Sequence, residues 1–403
     1  MTPLYSCGAR FDPTVDLNDI AGGDGFLFVR DGVGMAGRGV ARAASSANVA
    51  RVLASIVADG NSLPPRAIGA LPFDPHGLGT FIVPEVAFVK LPSGEQHVIV
   101  VAETPEAARE RLASSLRATE RPTSRPEPRA AAFNVAPLTS VETYLSAVTA
   151  ARDAVRRGDI TKAVIARDIE VTSNEPIDVH AVLLRLKASF GSSYRYSFDG
   201  LVGASPELLV EVDGETVRSN PLAGTTARTG DPATDRVLAD ALLASEKNQI
   251  EHRVVVDMVH DTLLPFCSYL DWEPDPSVVA VANVQHLGTR VEGRLTSPVH
   301  ATDLARLLCP TPALGGFPRD AAVSLITRVE GMDRGLYGGG IGWCDATGNG
   351  VFAVTIRCAS FSSDRTRARL FAGGGIVADS EPRAELAETQ AKFQAMLSAI
   401  VRP

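Results

Sequence analysis

The stretch between Gly373 and Phe393 constrains the fold of this chain more than any other. It opens with three glycines, continues through the pair Asp379-Ser380, and has a proline at position 382. Glycines let other groups approach the backbone closely, Asp and Ser accept hydrogen bonds from the free N–H groups of a helix start, and proline suits a first helical turn. We therefore predict a loop that runs into a helix beginning near Pro382.

The predicted helix has an apolar face with a charged row beside it. Glu385, Glu388 and Lys392 form this row at spacings i, i+3 and i+7. At about 100° per residue, the apolar stripe consists of Leu386, Phe393, Met396, Leu397 and Ile400. A solvated Glu–Lys pair is the ordinary interpretation of such a row. A second carboxylate-bearing helix earlier in the chain favours a binding site instead.

Composition excludes several classes of protein. The 403 residues are 45% hydrophobic and carry a net charge of −8. This length allows a large core, and the negative charge argues against nucleic acid or a membrane surface as a partner. Five scattered cysteines without C-x-x-C spacing indicate neither a disulfide framework nor a zinc site. Since the first residues do not resemble a secretion signal, we expect a cytoplasmic protein.

Strand and helix patterns sharpen after residue 140. Residues 1 to about 103 show short strand-like runs and one helix near 47–59, and residues 104–132 have the composition of an exposed connection. Further on, alternation predicts strands at 159–171, 193–199, 208–218, 278–284, 351–358 and 367–372. Apolar periodicity predicts helices at 141–157, 178–189, 233–264 and 319–330. Neighbouring strands with helices gathered elsewhere favour an α+β fold with mainly antiparallel sheet.

The helix predicted over 233–264 turns one carboxylate toward its apolar face. Glu251 shares this face with Lys247 and with valines and a methionine one or two turns further on. An unpaired charge there is costly, so Glu251 needs a partner, either Lys247 or a bound cation. With Glu385 and Glu388 it forms an all-oxygen set, which favours Mg²⁺ and a substrate carrying carboxylate or phosphate.

Four further polar residues adjoin apolar strands. Glu207 comes directly before an apolar strand, where desolvation would raise its pKa and suit a proton donor, although a plain loop residue is the alternative. Lys162 lies in an alternating strand and is either a desolvated general base on the inner face or a surface lysine. Arg357 lies in an apolar run, where a carboxylate partner would satisfy it. Tyr337 precedes a glycine run that matches no nucleotide motif.

Together these segments resemble the chorismate-utilising enzymes, and most closely the isochorismate synthases. The resemblance covers roughly residues 138–402. It rests on these ordered motifs: the Lys162 strand, GASPE at 203–207, PLAGT at 221–225, SEKNQIEH at 245–252, PTPALGGFP at 310–318, the Tyr337 turn, IRCA at 356–359 and GGGIVADSEPRAELAET at 373–389. It implies a single α+β domain over residues 1–403, with large antiparallel sheets enclosing the site and helices outside. The less similar residues 1–132 would then belong to this domain.

The resemblance also implies a Mg²⁺-dependent reaction in which water adds at C2 of chorismate and the C4 hydroxyl leaves. Lys162 would be the base and Glu207 the acid. Magnesium would bind to Glu251 and Glu388, with Glu385 helping through water. Substrate contacts are implied for Tyr337, Arg357, the backbone around Gly374, Lys392, Ala223, Gly224, Thr225, Ala313 and Leu314.

Lysine at position 162 resembles the water-using rather than the ammonia-using members of the family. We therefore expect no glutaminase subunit, and we expect a monomer. A salicylate synthase, which also eliminates pyruvate, and a non-catalytic chorismate-binding module remain the alternatives. Cys309 and Asn248 depart from the family pattern at a substrate-side and a metal-side position. The resemblance fits either siderophore or menaquinone biosynthesis.

Overall fold

The strands of this chain form two large sheets and one small sheet. The computed structural model describes residues 2–12, 14–60, 62–119, 131–281 and 284–402. The strands are β1 (Leu4–Arg10), β2 (Phe26–Arg30), β3 (Val33–Arg38), β4 (Arg42–Ser45), β5 (Ile56–Ala58), β6 (Arg66–Leu71), β7 (Thr80–Val83), β8 (Val86–Lys90), β9 (Gln96–Ala102), β10 (Phe133–Pro137), β11 (Lys162–Ser173), β12 (Tyr194–Phe198), β13 (Leu201–Ser205), β14 (Leu208–Asp213), β15 (Thr216–Asn220), β16 (Leu222–Ala227), β17 (Cys267–Trp272), β18 (Ser277–Ala280), β19 (Val284–Gly288), β20 (Val291–Leu295), β21 (Gly316–Phe317), β22 (Gly340–Asp345), β23 (Gly350–Val354), β24 (Cys358–Phe361) and β25 (Arg367–Ile376).

Helices pack against these sheets and against one another. They are α1 (Leu17–Ala21), α2 (Val49–Ala54), α3 (Pro105–Thr119), α4 (Val141–Arg157), α5 (Val179–Ser189), α6 (Pro232–Ala244), α7 (Glu246–Leu263), α8 (Ala301–Leu308), α9 (Arg319–Val329) and α10 (Pro382–Val401), with a short 3₁₀ helix at Leu264–Phe266. No helix in the described ranges is both long and apolar enough to cross a membrane.

Both large sheets are almost entirely antiparallel. The larger one runs β10-β11-β25-β24-β13-β12-β2-β3-β8-β9-β1-β5, with β21 paired to the free edge of β11, and the second runs β17-β20-β15-β14-β23-β22-β6-β7-β4. The small sheet is β16-β19-β18. Within the described residues, β1 and β5 are the one parallel pair. The predicted α+β fold with mainly antiparallel sheets is confirmed.

Two apolar layers stabilise this arrangement. The inner layer joins the two large sheets and includes Met35 and Tyr196 from the first and Phe81 and Phe352 from the second. The outer layer packs helices such as α5 and α10 against the other face of the larger sheet, as at Met396. A strand between these layers, such as β11 over residues 162–169, is therefore buried on both faces.

Several predicted elements are confirmed, and others differ at their boundaries. Helices α4, α5 and α9 form where periodicity predicts them. The helix predicted over 233–264 is instead two helices, because Ser245 is extended and its hydroxyl accepts a hydrogen bond from the Asn248 N–H. The strand predicted at 208–218 is the hairpin β14–β15, and the one at 278–284 is divided between β18 and β19.

The region near the start differs more from expectation. Of the helix predicted at 47–59, only α2 is helical, and the residues after it form strand β5. The prediction of an exposed connection over 104–132 is wrong for its first half, which forms α3. The outer apolar layer includes Ala108, Leu112 and Leu116 of α3. These residues recur every four positions, but the many polar residues between them hide this helical pattern in the sequence. Residues 120–130, which contain the rest of that predicted connection, lie outside the described residues.

Candidate active site

A pocket of about 270 Å³ brings together residues that are far apart in the sequence. Its walls come from β11, β16, α7, β25 and α10 and from the turns before β14 and after β23. The predicted site residues that line it are Lys162, Glu207, Ala223, Gly224, Thr225, Glu251, Ala313, Leu314, Tyr337, Arg357, Glu385, Glu388 and Lys392. Gly374 is the predicted site residue that is not part of the lining.

Lys162 occupies the inner face of β11 and pairs with Glu251. Its side chain is 2% exposed, and its Nζ donates to Glu251 Oε1 at 2.8 Å. Burial by itself would raise the pKa of Glu251, but the Lys162 ammonium and its hydrogen bond hold it below its ordinary value. Lys247, one of the two partners that the sequence leaves open for Glu251, does not form this pair because Glu251 reaches across to β11.

The three glycines at 373–375 belong to strand β25, so the predicted loop at these positions is wrong. Gly373 and Gly375 line the pocket, while Gly374 pairs in register with Ile165 and, since successive strand residues face opposite sides, faces the other way. The loop begins at Val377, and Glu381, rather than the Asp-Ser pair, caps α10 by accepting from the Ala384 N–H.

These glycines make room for charged side chains. A Cβ at Gly375 would lie 2.7 Å from Glu251 Oε1 and 2.8 Å from Lys162 Cε, and a Cβ at Gly374 would lie 2.6 Å from Glu385 Oε2. Any larger residue would displace a carboxylate or the lysine. Gly374 and Gly375 therefore leave space for the carboxylates and for Lys162, and Gly373 contributes its backbone to the pocket wall.

Glu207 is enclosed at the start of β14. It is 2% exposed, and its Oε1 accepts a weak hydrogen bond of 3.3 Å from the Leu222 N–H. Burial raises the pKa of Glu207 to about 8, although this hydrogen bond and nearby Lys162 oppose the shift. Glu207 is therefore a protonated carboxylic acid at neutral pH, as its place before an apolar strand predicts.

Helix α10 supplies two carboxylates to the pocket. Glu388 pairs with Lys392, whose Nζ also donates to the Gly373 carbonyl at 2.7 Å. Glu385 is buried, and burial together with the neighbouring Glu388 raises its pKa. Two carboxylates that repel one another suit a cation, and they are oxygen donors of the kind that Mg²⁺ prefers.

The carboxylates do not form a metal cage by themselves. In the described part of the chain, no group of three or more His, Cys, Asp and Glu side chains is arranged so that it could hold a metal ion. Magnesium usually takes only one or two protein carboxylates and completes its shell with water and substrate oxygens. The donors present therefore fit a magnesium ion that the substrate helps to hold.

Arg357 and Tyr337 form another wall. Arg357 has a φ of 53° in the break between β23 and β24, and its Nη2 lies 3.3 Å from His286 Nε2. No ion pair to Arg357 occurs among the described residues, so the carboxylate partner expected for it is not a side chain of this part of the chain. Burial lowers the pKa of Arg357 and raises that of Tyr337, whose ring stacks on Phe371 at 5.1 Å.

The sequence did not single out His286, which lines the pocket from β19. Its Nδ1 lies 3.0 Å from Thr225 Oγ1, and burial together with Arg357 lowers its pKa to about 3, so it is neutral. The apolar residues Val284 and Leu287 flank Gln285 and His286, and a histidine in such a short run was the available signal.

The two departures from the family pattern have different surroundings. Asn248 lines the pocket, with its Oδ1 3.2 Å from where a Cβ of Gly224 would lie. Cys309 is buried beside Gly340 and is outside the pocket lining.

Comparisons with known proteins show the family of this chain. A family model described as "Chorismate binding enzyme" matches residues 43–401. The isochorismate synthase DhbC of Bacillus subtilis is 40% identical over 280 residues, which are 66% of this chain and 70% of that protein. The isochorismate synthase EntC of Escherichia coli is 36% identical over 342 residues, 83% of this chain and 81% of that protein.

A solved structure shares the fold. MenF, the menaquinone-specific isochorismate synthase from Escherichia coli, matches with a TM-score of 0.84 at 24% identity, covering 98% of this chain and 94% of that one. With a family model that spans most of its length and a relative 36% identical over 83% of it, this chain belongs to the chorismate-binding enzymes.

Proposed function

We propose that this chain is an isochorismate synthase, which converts chorismate to isochorismate by adding water at C2 with loss of the C4 hydroxyl. One observation carries the proposal. A buried amine, Lys162, and a carboxylic acid that stays protonated at neutral pH, Glu207, line the same pocket. A general base and a general acid at one site are what this exchange of hydroxyl groups requires.

The proton transfers follow from these two residues. Lys162, acting as the general base, takes a proton from the water whose oxygen bonds to C2. Glu207 gives its proton to the C4 oxygen, so that the hydroxyl leaves as water while the ring double bonds shift. Hydroxide is a poor leaving group, and assistance at both oxygens lowers the barrier. One water enters and one leaves, so the reaction is an isomerisation.

Magnesium is the proposed cofactor. Glu251 and Glu388 would hold it, with Glu385 acting through water, and it would supply positive charge for the ring carboxylate of the substrate. The raised pKa of Glu385 beside Glu388 supports this assignment, because nearby carboxylates compete less for protons once a cation lies between them.

The second substrate carboxylate is assigned to Arg357 and Tyr337. Arg357 is partly buried and has no carboxylate partner in the described chain, so a ligand carboxylate would satisfy it. Lys392 adds positive charge nearby. The surrounding walls would be formed by the motif residues Ala223, Gly224, Thr225, Ala313 and Leu314. Because Gly373 lines the pocket and Gly374 does not, we assign the backbone contact with substrate to Gly373 instead of Gly374.

We also propose that residues 1–403 form one domain that acts as a monomer without a glutaminase subunit. The pairing of β2 with β12 supports the first statement, since it joins the region before residue 103 to the larger sheet. Size-exclusion chromatography with light scattering tests the second, and a dimer mass would contradict it.

The decisive experiment incubates the purified protein with chorismate and Mg²⁺ and separates the products by chromatography. We expect isochorismate, and we expect EDTA to abolish and Mg²⁺ to restore its formation. Salicylate with pyruvate, formed without an added lyase, would instead identify a salicylate synthase. Binding of chorismate without Mg²⁺-dependent turnover would identify a non-catalytic module.

A further inference from the structure

Strand β11, which carries Lys162, lacks a neighbouring strand along part of one edge. On its first side, β25 pairs with it from Ala163 to Thr172. On its second side, β21 pairs only with Lys162 and Ala163, and β10 begins to pair at Ile169. The backbone groups between these pairings are buried and need other hydrogen-bond partners.

The Val164 N–H donates to the Gly315 carbonyl and the Leu138 N–H donates to the Asp168 carbonyl, and between these two bonds a buried ion pair fills the gap. Arg334 Nη2 donates to the Val164 carbonyl at 2.6 Å, and the Ala166 N–H donates to Glu330 Oε1 at 2.7 Å. Arg334 and Glu330 bond to each other, with Arg334 Nε 2.9 Å from Glu330 Oε2, and their side chains are 2% and 1% exposed. Two side chains therefore take the place of a strand next to the pocket.

The same arginine reaches two other walls of the pocket. Its Nη1 donates to the Leu314 carbonyl at 2.8 Å, and its own carbonyl accepts from the Tyr337 N–H at 3.0 Å. The guanidinium also stacks 4.2 Å from the centre of the Phe73 ring. One side chain thus connects the strand of Lys162 to the segments of Leu314 and Tyr337.

We propose that Arg334 and Glu330 are positioning residues, which set the place of the Lys162 strand relative to the Leu314 and Tyr337 walls. The inference rests on the proposed function, since it assigns these residues a role in that reaction. Neither residue lines the pocket, so they act through backbone groups. The planar guanidinium of arginine donates to three different acceptors at once. The single ammonium group of a lysine at that position does not reach all three.

The test compares three arginine-to-lysine variants. Arg334→Lys is the variant of interest. Arg195→Lys is the control for burial, because Arg195 is 2% exposed and donates to Asn18 away from the pocket. Arg253→Lys is the control for pair type, because Arg253 and Asp257 form an exposed i, i+4 pair. Steady-state kinetics are measured well below every unfolding temperature.

We expect Arg334→Lys to lower kcat by about 10-fold to 100-fold with a smaller change in KM, since a displacement of about 1 Å in a site has effects of this size. Arg195→Lys should lose thermal stability while keeping its kcat, and Arg253→Lys should change neither. A wild-type kcat in Arg334→Lys, or a matching loss of kcat in Arg195→Lys, would overturn the positioning role.

A second measurement does not depend on turnover. Amide hydrogen exchange at Ala166 should accelerate in Arg334→Lys and stay unchanged in Arg195→Lys, because only the first variant disturbs the acceptor on Glu330. Unchanged exchange at Ala166 would overturn the proposal. If the wild-type protein forms no isochorismate, the proposed function fails, and exchange at Ala166 still decides whether the ion pair orders β11.

Discussion

The chain before residue 103 and the chain after residue 138 build the same sheets but contribute differently to the pocket. Each large sheet contains strands from both regions, through the pairs β2–β12 and β6–β22. The described residues that line the pocket begin at Lys162, and none comes from the first region. The first region therefore contributes strands and core residues, whereas the second contributes strands, core residues and the residues of the pocket.

The difference also appears in how each region uses charge. In the first region, an ion pair such as Arg10–Glu95 is well exposed, at 62% and 39%. In the second region, Lys162 and Glu251 are paired in the interior, and Glu207 is buried as an acid. Buried charges are costly without partners, so the buried lysine and carboxyl groups at this pocket indicate a functional demand.

The largest expected effect comes from Lys162→Gln in the second region. Loss of the base should lower kcat by roughly 10³-fold, within the range typical of general acid–base groups, while chorismate binding is largely kept. The matched control is Lys90→Gln on β8 of the first region, which should keep its kcat. Turnover and equilibrium binding are measured for both variants, and wild-type turnover in Lys162→Gln would remove this residue from the mechanism.

The next effect concerns Glu207 and pH. The folded-state pKa of about 8 lies above the ordinary value for glutamate, so the acid form is present below this pH and is lost as pH rises through it. We expect kcat/KM to fall along an alkaline limb near pH 8. Glu207→Gln should lower activity by about 10²-fold and lack this limb.

Glu95→Gln in the first region is the control for this pH profile. It should show the wild-type alkaline limb, because the Glu95 side chain is exposed and does not line the pocket. An alkaline limb that persists in Glu207→Gln would assign the proton donor to another group.

A core substitution in the first region should separate stability from chemistry. Phe81 is fully buried, and its ring lies 6.1 Å from that of Phe352 in the inner apolar layer. Phe81→Ala should lower the free energy of unfolding by about 3–5 kcal/mol, as measured by urea denaturation. At temperatures where it stays folded its kcat should equal that of the wild type, and a large loss of kcat there would break the division between the regions.

The smallest expected effect is that of an exposed ion pair. Arg10→Ala removes the pair with Glu95, and such pairs contribute less than about 1 kcal/mol. Neither kcat nor the urea midpoint should change appreciably. A larger loss of stability would mean that the first region depends on its surface charges as well as on its core.

The fold class could be predicted from local patterns, and most of the pocket residues could be predicted from the resemblance to the chorismate-utilising enzymes. Periodicity in α4 reflects a buried face that repeats along the helix. The strand β11 was recognised by its apolar and β-branched residues, although it is buried on both faces over residues 162–169. Glu207 and Glu251 could be recognised because each charge adjoins an apolar run. The ordered motifs then indicated that these elements meet at one site.

The remaining features depend on contacts between distant segments. Lys162 and Glu251 are 89 positions apart, and only the packing of α7 near β11 makes them partners in place of Lys247. The glycines at 373–375 were interpreted as a loop because nothing local shows that β11 and the carboxylates surround them. Likewise, His286 lies at the pocket only because β19 pairs with β16, which the sequence does not show.

Incubation of the protein with chorismate in water enriched in oxygen-18 shows whether solvent water supplies the new hydroxyl group. If Lys162 activates water for attack at C2, isochorismate formed by the wild-type protein carries the label in its C2 hydroxyl, as mass spectrometry of the product would show. Isochorismate without the label would mean that the hydroxyl moves from C4 to C2 within the molecule, which contradicts the account.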